Sequence, residues 1–368
     1  MSNLIYQIGI TLIKGIGNIT AKQILEYLGD AELFFKEKPR LLEKIPGISS
    51  RIVSEIQNPA VLIRAEKELV FIEKNKIKTL FITENDYPRR LRDCVDSPIM
   101  LYFKGNADLN ATKIVSIVGT RHASSYGKEV VTNLLKDFSG IYPDILIVSG
   151  LAYGIDIISH RASLHENLPT VGVLAHGLDR IYPYQHRQTA VDMLDRGGLL
   201  TEFISETNPD RQNFVKRNRI VAGIADCTVV IESAVKGGAL ITANIASSYN
   251  RDVFAVPGRT GDLYSQGCNR LIKEKKAALV EDAGDILKEM CWSGSEKENK
   301  PKVIQGSLML NLNPDEQRVA DILSGTESLH LNILAIELNM PVSKLSVILF
   351  EMEMNGIIKC LPGGMYKL

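Results

Sequence analysis

The sequence predicts an α/β protein with a Rossmann-like parallel sheet domain, an N-terminal helical domain of helix-hairpin-helix type and a C-terminal winged-helix domain. Three changes of pattern along the 368 residues predict this. Helical periodicity broken by glycine turns covers residues 1–75, strands alternate with helices over 76–291, and three helical patterns lead into a hairpin over 312–368. Residues 292–311 are polar and turn-rich, which predicts a linker.

The N-terminal domain contains two similar segments, LIKGIGNITAKQIL and LLEKIPGISSRIV. Each has an apolar residue, a turn built on glycine or on proline and glycine, and the beginning of a helix, a pattern typical of tandem helix-hairpin-helix motifs. The amides of such turns can hold a phosphate. Because residues 1–75 carry 10 basic and 9 acidic residues, simple packing against the rest of the protein explains them equally well.

The central domain shows five apolar runs, each followed by a loop and a helical stretch. The runs are IVSIVG, ILIVSG, TVGVLAHG, CTVVIES and VFAVPG. This alternation is typical of a parallel sheet covered by helices on both faces. Two earlier runs, KTLFI and IMLYFKG, are predicted to extend the sheet or to pack on its edge. Since all the loops leave the carboxyl ends of parallel strands, we expect them to converge on one crevice.

The loops of this crevice combine glycines with residues suited to an anion. In the first loop, Gly119 allows the backbone to approach a ligand closely, and Arg121 can clamp a phosphate. Ser124 or Ser125 can cap the helix that follows. Neither a dinucleotide fingerprint nor a phosphate-binding loop of the ATPase type is present, so no cofactor is predicted. The candidate residues in the loops are Gly119, Arg121, Ser149, Gly150, Gly237 and Gly238.

The strongest concentration of positive charge is the segment RQNFVKRNRIVAG, which contains no acidic residue. Arg211, Lys216, Arg217 and Arg219 surround one aromatic residue, Phe214. On a helix, part of this set can face the crevice while the apolar residues pack inward. Cations for phosphates beside a ring for stacking are what single-stranded nucleic acid requires. A solvated basic face is the alternative explanation.

Six segments together resemble the DprA family of DNA-processing proteins. They are SIVGTRHASSYG, SGLAYGIDIISHRASL, GLDRIYP, NFVKRNRIVAG, GGALITANIA and VFAVPGRTGDLYSQGCNRLI. The resemblance implies a homodimer without catalytic residues or a metal, which binds single-stranded DNA, protects incoming DNA and loads the recombinase RecA during natural transformation. It implies a DNA-binding pocket lined by Arg121, Phe214, Lys216, Arg217, Asn218 and Arg219. In KGGAL the chain has Lys236 and Ala239 where the family more often has serines, and Lys236 is expected to add a phosphate contact.

An enzyme on a related fold, a nucleotide phosphoribohydrolase, is the alternative function. Its chemistry needs a carboxylate beside a PGG-x-GT loop, and no glutamate stands at the matching place. Glu232, at a strand end, is the acidic residue least easily dismissed, whereas Asp156 is expected to cap a helix or to pair with a cation. His160 follows Asp156 at helical spacing, which predicts a local hydrogen bond. His176 is expected to contact ligand or to fill its turn.

The C-terminal residues argue against a third function, transcription regulation. Residues 312–368 carry four basic and seven acidic residues, so this domain would be repelled by duplex DNA and is predicted to contact protein.

Composition limits the remaining possibilities. Lysine plus arginine equals aspartate plus glutamate at 43 each, so a nucleic-acid site must be a local concentration of charge. The five cysteines form no C-x-x-C pair, which predicts free thiols and no metal site. Without a secretory signal or a long apolar stretch, we expect a cytoplasmic protein that makes no membrane contact.

Overall fold

A computed structural model describes residues 3–292, 313–324, 328–355, 357–361 and 364–367. The chain divides into two compact units, Met1–Ser293 and Gly294–Leu368. The predicted boundary at residue 75 lies inside the first unit and stays a prediction. All but the first residue of the predicted linker, 292–311, lies outside the described residues.

The first unit begins with six helices. They are α1 (Asn3–Leu12), α2 (Asn18–Leu28), α3 (Ala31–Lys36), α4 (Pro39–Leu42), α5 (Ser50–Ile56) and α6 (Pro59–Lys74). The two predicted hairpin turns lie between α1 and α2 and between α4 and α5, with Gly15 and Gly47 both at positive φ. The buried side chains of these helices share one core with Phe81 and Met100 of the sheet described next. The helical region therefore packs directly on one end of that sheet.

Nine strands form a single sheet in the order β1-β2-β6-β5-β4-β3-β7-β8-β9. The strands are β1 (Lys78–Phe81), β2 (Met100–Gly105), β3 (Ile114–Val118), β4 (Leu146–Ser149), β5 (Thr170–Val173), β6 (Gly198–Thr201), β7 (Cys227–Val230), β8 (Asp252–Ala255) and β9 (Ala278–Leu279). The last seven strands are parallel, whereas β1 and β2 add an antiparallel end beside β6. The prediction that the two early runs extend the sheet is therefore confirmed. The sequence analysis missed β6 and β9.

Helices cover both faces of this sheet. They are α7 (Arg89–Arg92), α8 (Ser125–Ile141), α9 (Ile155–His165), a short 3-10 helix (Tyr184–His186), α10 (Arg187–Asp192), α11 (Arg211–Gly223), α12 (Gly238–Ser248), α13 (Gln266–Lys273) and α14 (Ala283–Glu289). Side chains of β3 alternate between two cores, with Ile114 and Val118 in one and Val115 and Ile117 in the other. Burial on both faces explains why the strands read as continuous apolar runs.

The direction of strand addition reverses between β3 and β7. From β3 the chain adds β4, β5 and β6 on one side, and α11 then returns it to β7 on the other side. Loops that follow neighbouring strands at such a reversal diverge and leave a crevice at the carboxyl edge of the sheet. The predicted crevice therefore lies at this point, with α11 beside it.

The second unit contains α15 (Pro314–Ser324), α16 (Leu331–Glu337), α17 (Val342–Met354) and a three-stranded antiparallel sheet. Its strands are β10 (Leu329–His330), β11 (Lys359–Leu361) and β12 (Met365–Lys367). Three helices with a hairpin confirm the predicted winged helix, although the predicted turn residue Gly363 lies outside the described residues. Among the residues described, no single helix is long and apolar enough to cross a membrane; α16 and α17, bent by 110°, meet the length and composition criteria only as a pair.

Candidate nucleic-acid interface

Two arginines flank one aromatic ring in the crevice. Arg121 lies in the loop after β3, and its Cζ is 5.4 Å from the centroid of the Phe214 ring. Arg217 lies one turn along α11 from Phe214, and its Cζ is 6.0 Å from the same centroid. Both distances are within the range of cation–π contacts. The fold thus brings the predicted arginine of the first loop to the predicted basic helix.

Arg217 is only 4% exposed, although it carries a positive charge. Its Nη1 donates to the carbonyl oxygen of Val173 at 2.9 Å, while its Nε has no hydrogen-bond partner among the described residues. Burial lowers the pKa of Arg217, and Arg121 lowers it further, whereas Asp156 opposes these effects. Among the described residues, no carboxylate forms an ion pair with the Arg217 guanidinium within 4.0 Å. A buried cation in this state would be stabilised by an anion bound between the two arginines.

The small residues of the first two loops support the site from beneath. The hydroxyl of Ser149 is buried and donates to the carbonyl oxygen of Ile117 at 2.6 Å, so it joins β4 to β3. A β-carbon added at Gly119 would lie 2.4 Å from Cγ1 of Ile155. A β-carbon added at Gly150 would likewise overlap the guanidinium of Arg217. These contacts bring the loops and α9 close together. They favour a packing role for Gly119, Ser149 and Gly150.

The other polar residues of α11 point in different directions. Lys216 is exposed and Asn218 is half-buried. Arg219 is 8% exposed, forms an ion pair with Glu202 and donates to the carbonyl oxygen of Asp96. Arg219 is thus committed to contacts within the protein, away from Phe214. The structure brings Arg217 to the crevice and holds Arg219 on the opposite side of the helix.

The fourth loop, at the start of α12, lines a hollow of its own. Gly237 precedes α12, and Lys236 is exposed beside it. Lys236 and Gly237 line a hollow between α12 and α13 that also includes Arg270, while Gly238 is exposed at the start of α12. Contacts between this loop and Arg121 or Phe214 are not found among the described residues. The role of Lys236, Gly237 and Gly238 in DNA binding stays a prediction.

The acidic residue Glu232 is engaged by the first loop. Its Oε2 accepts from the Ser124 amide at 2.9 Å, and its Oε1 accepts from the Ser124 hydroxyl. The same hydroxyl accepts from the Gly127 amide at 3.1 Å, which confirms Ser124 as the cap of α8. Glu232 therefore holds the loop that carries Arg121.

The structure gives two of the histidines structural contacts. The prediction that His160 bonds to Asp156 is wrong: its Nδ1 lies 2.7 Å from Thr170 Oγ1, and complete burial lowers its pKa to about 3. His176 fills its turn, because Nδ1 donates to the carbonyl oxygen of Gly177 at 2.8 Å and Nε2 accepts from the Tyr182 amide at 3.2 Å. Burial raises the pKa of Asp156, and Arg217 opposes that shift. Each ring therefore makes at least one hydrogen bond within the protein.

The sequence analysis missed exposed tyrosines beside this cluster. The Tyr182 ring lies 6.1 Å from the Phe214 ring in an edge-on arrangement and is 48% exposed. Tyr153 is 43% exposed, and its hydroxyl donates to Gln185 Oε1 at 3.0 Å, which joins the loops after β4 and β5. The signal was in SGLAYG and RIYPY, where a tyrosine follows the end of a buried strand. These rings add a stacking surface to the site.

Comparison with protein families gives two matches. Residues 78–291 match the model described as DNA recombination-mediator protein A, and residues 310–364 match the DprA winged helix domain. The chain belongs to the DNA recombination-mediator protein A family. A curated relative, DNA processing protein DprA of Bacillus subtilis (strain 168), is 40% identical over 215 residues, which cover 58% of this chain and 71% of the relative.

Two solved structures of DprA proteins resemble this recombination-mediator family member. DprA of Streptococcus pneumoniae has 31% identity and a TM-score of 0.64, covering 78% of this chain and 98% of that one. DprA of Helicobacter pylori has 26% identity and a TM-score of 0.53, covering 59% and 97%, and its structure addresses the single-stranded DNA binding mode of that protein. Within the described part of the chain, no cluster of three histidine, cysteine or acidic residues could hold a metal ion.

Proposed function

We propose that this chain is a single-stranded DNA-binding recombination mediator that acts as a homodimer, protects incoming DNA and loads RecA onto it during natural transformation. The observation that carries the proposal is the pair of guanidinium groups of Arg121 and Arg217, which lie 5.4 and 6.0 Å from the centroid of the same Phe214 ring. The family membership and the single-stranded DNA binding of the Helicobacter pylori relative support it.

The arrangement favours a single strand over a duplex. A phosphate between Arg121 and Arg217 would stabilise the buried charge of Arg217, which has no ion-pair partner within the described residues. The rings of Phe214 and Tyr182 would receive an unstacked base, which a duplex does not offer. We include Lys216 as a phosphate contact and leave Arg219 out, because its ion pair with Glu202 occupies it.

We propose that the chain works without catalysis. The enzyme alternative requires a carboxylate that is available to the substrate, and Glu232 is instead held by both the amide and the hydroxyl of Ser124. Incubation with nucleoside monophosphates should release no free base. Release that is lost in Glu232→Gln would support the phosphoribohydrolase alternative.

The central experiment compares a fluorescent single-stranded oligonucleotide with the same sequence as a duplex over a range of salt concentrations. Three phosphate contacts, at Arg121, Lys216 and Arg217, predict a slope of log affinity against log salt of about −2, from about −0.7 for each contact. Equal affinity for the duplex, or a flat response to salt, would contradict the proposal.

The partners need tests of their own. Light scattering should give the mass of a dimer, and added protein should shorten the delay before RecA assembles on single-stranded DNA. We place these events in the cytoplasm, with RecA. A monomer that binds DNA but leaves RecA assembly unchanged would restrict the function to DNA binding.

A further inference from the structure

A second cavity lies between the helical region and the sheet of the first unit. Its volume is about 620 Å³, within the range of about 300–1,000 Å³ that is typical of ligand sites. The turn and first residues of α2, the segment leading into β2, the loop after β6 and one side of α11 line it. We call it the α2 cleft. Its apolar walls include Ile16, Ile19, Ile99 and Phe203.

Among the described residues, two acidic and two basic residues line the α2 cleft; the Asp96 carboxylate accepts from the Tyr249 hydroxyl, and Lys216 is the cation without an ion pair. Arg219 and Glu202 line it as an ion pair in which the side chains are 10% and 11% exposed, so their charges compensate each other. Lys216 also lines the cleft, but it is exposed and makes no ion pair within 4.0 Å among the described residues. The Asn18 Oδ1 already accepts from the Ile99 amide at 3.2 Å, whereas Thr20 adds a hydroxyl that can form a hydrogen bond. The cleft therefore suits a flat, mostly apolar ligand that has polar edges and a negative group beside it.

The α2 cleft and the arginine crevice share the helix α11. Lys216 and Arg217 are consecutive on α11, so their side chains leave the helix about 100° apart. Arg217 reaches the crevice and Lys216 lines the cleft. The loop after β6 also leaves the sheet at the same edge as the loops of the crevice, because β6 is parallel to β5. A strand bound in the crevice that crosses α11 would meet Lys216 next.

We propose that the α2 cleft holds a nucleobase of the same single strand whose backbone lies on Arg121 and Arg217, with a phosphate of that strand on Lys216. This inference rests on the proposed function. A base has apolar faces for the isoleucine and phenylalanine walls and a hydrogen-bonding edge for Thr20. The helical region would then lengthen the DNA site.

The test uses a pair of matched variants. Ile19 and Ile63 are 50% and 62% exposed on helices of the same region, and only Ile19 lines the α2 cleft. Ile19→Glu places a carboxylate at the cleft, whereas Ile63→Glu makes the same change in total charge elsewhere. Affinity is measured by fluorescence anisotropy for oligo-dT of increasing length, and thermal unfolding checks that both variants fold.

Short oligonucleotides that fill only the crevice should bind the two variants and the unmodified protein alike. With longer ones the unmodified protein and Ile63→Glu should gain affinity, whereas Ile19→Glu should fall about tenfold behind, the scale of one stacked base. An identical dependence on length in both variants would overturn the inference while leaving the proposed function intact. Failure of the unmodified protein to bind any oligonucleotide would refute the proposed function itself.

A free mononucleotide offers the α2 cleft the same base and phosphate as the bound strand does. A competition experiment distinguishes these two occupants. If dTMP displaces only the added affinity of the longer oligonucleotides, and only when Ile19 is intact, the cleft takes a base of the strand. Binding of dTMP that depends on Ile19 but leaves every oligonucleotide affinity unchanged would overturn the inference in favour of a free nucleotide.

Discussion

Arg217 lies directly against Gly150. A β-carbon on residue 150 would be 1.6 Å from Nη1 of Arg217 and 2.4 Å from its Cζ. The missing side chain thus provides the space through which the guanidinium reaches the carbonyl oxygen of Val173. Gly150 therefore shapes the site by leaving room for the Arg217 guanidinium.

Gly150→Ala should therefore displace the Arg217 guanidinium. The displaced guanidinium would lose its charged hydrogen bond to the phosphate of the DNA, and such a bond contributes about 1.5–3 kcal/mol. We therefore expect the affinity for single-stranded DNA to fall about tenfold. Gly140→Ala is the control, because a β-carbon there meets nothing within 4 Å. Anisotropy titration and circular dichroism measure the two effects. Unchanged binding by Gly150→Ala would show that Arg217 contributes little.

Arg121→Glu should lower affinity by at least about tenfold, because it removes one phosphate contact and adds a repulsive charge. Arg196→Glu makes the same change at an exposed arginine in a different hollow, which is lined by Asn106 and Pro169. Titrations at one low salt concentration compare the two variants. Equal losses would mean that total charge, rather than the crevice, determines binding.

Phe214→Ala should cost about 1–3 kcal/mol of binding free energy if a base stacks on the ring. The salt slope should stay close to that of the unmodified protein, because no cation is removed. Phe214→Tyr keeps the aromatic face and should bind nearly normally. If the alanine and tyrosine variants are equally weak, stacking is not the role of this ring.

Burial of His160 predicts that acid destabilises the first unit. Its pKa falls from 6.5 to about 3, so between these values the unfolded chain binds a proton that the folded chain does not. The contribution of His160 to stability should therefore decrease as the pH falls from 7 toward 4, while the raised pKa values of the buried Asp156 and Glu202 carboxyls act in the opposite direction. Burial also lowers the pKa of His176 and His186, so these two histidines also make the folded state less stable as the pH falls.

His160→Asn should reduce this dependence on pH, because the amide does not titrate. Trp292, the only tryptophan, packs against the core of the first unit, so its fluorescence during urea unfolding reports on that unit. A slope against pH that is the same in both proteins would show that His160 does not contribute.

A chain that ends after Trp292 should fold and should keep its affinity for single-stranded DNA. Residues 1–293 form a compact unit of their own, and the removed winged helix is acidic. Trp292 must be retained, since its carbonyl oxygen accepts from the Tyr142 hydroxyl. A tenfold loss of affinity with folding preserved would show that the winged helix takes part in DNA capture.

The sequence alone determined the fold class and the position of the crevice that forms the candidate site. The buried strands β3, β4, β5, β7 and β8 are continuous apolar runs, a local property that can be recognised without knowing their neighbours. The loops after parallel strands must meet at one edge, which located Arg121 and α11 correctly. The strand β6 was missed because it begins with glycine and ends at Thr201, which Glu202 follows, so its apolar run is only Leu199 and Leu200.

Only the tertiary structure decided what each charged residue does. Arg217 and Arg219 look equivalent in RNR, yet one enters the crevice over Gly150 and the other is held by Glu202 and Asp96. Whether a cationic side chain is exposed, buried or ion-paired depends on the groups that pack against its face of the helix. Those groups come from positions far apart in the chain. For the same reason Glu232 could not be seen as a partner of Ser124 from the sequence: the charge pattern is local, whereas burial and ion pairing are set by the fold.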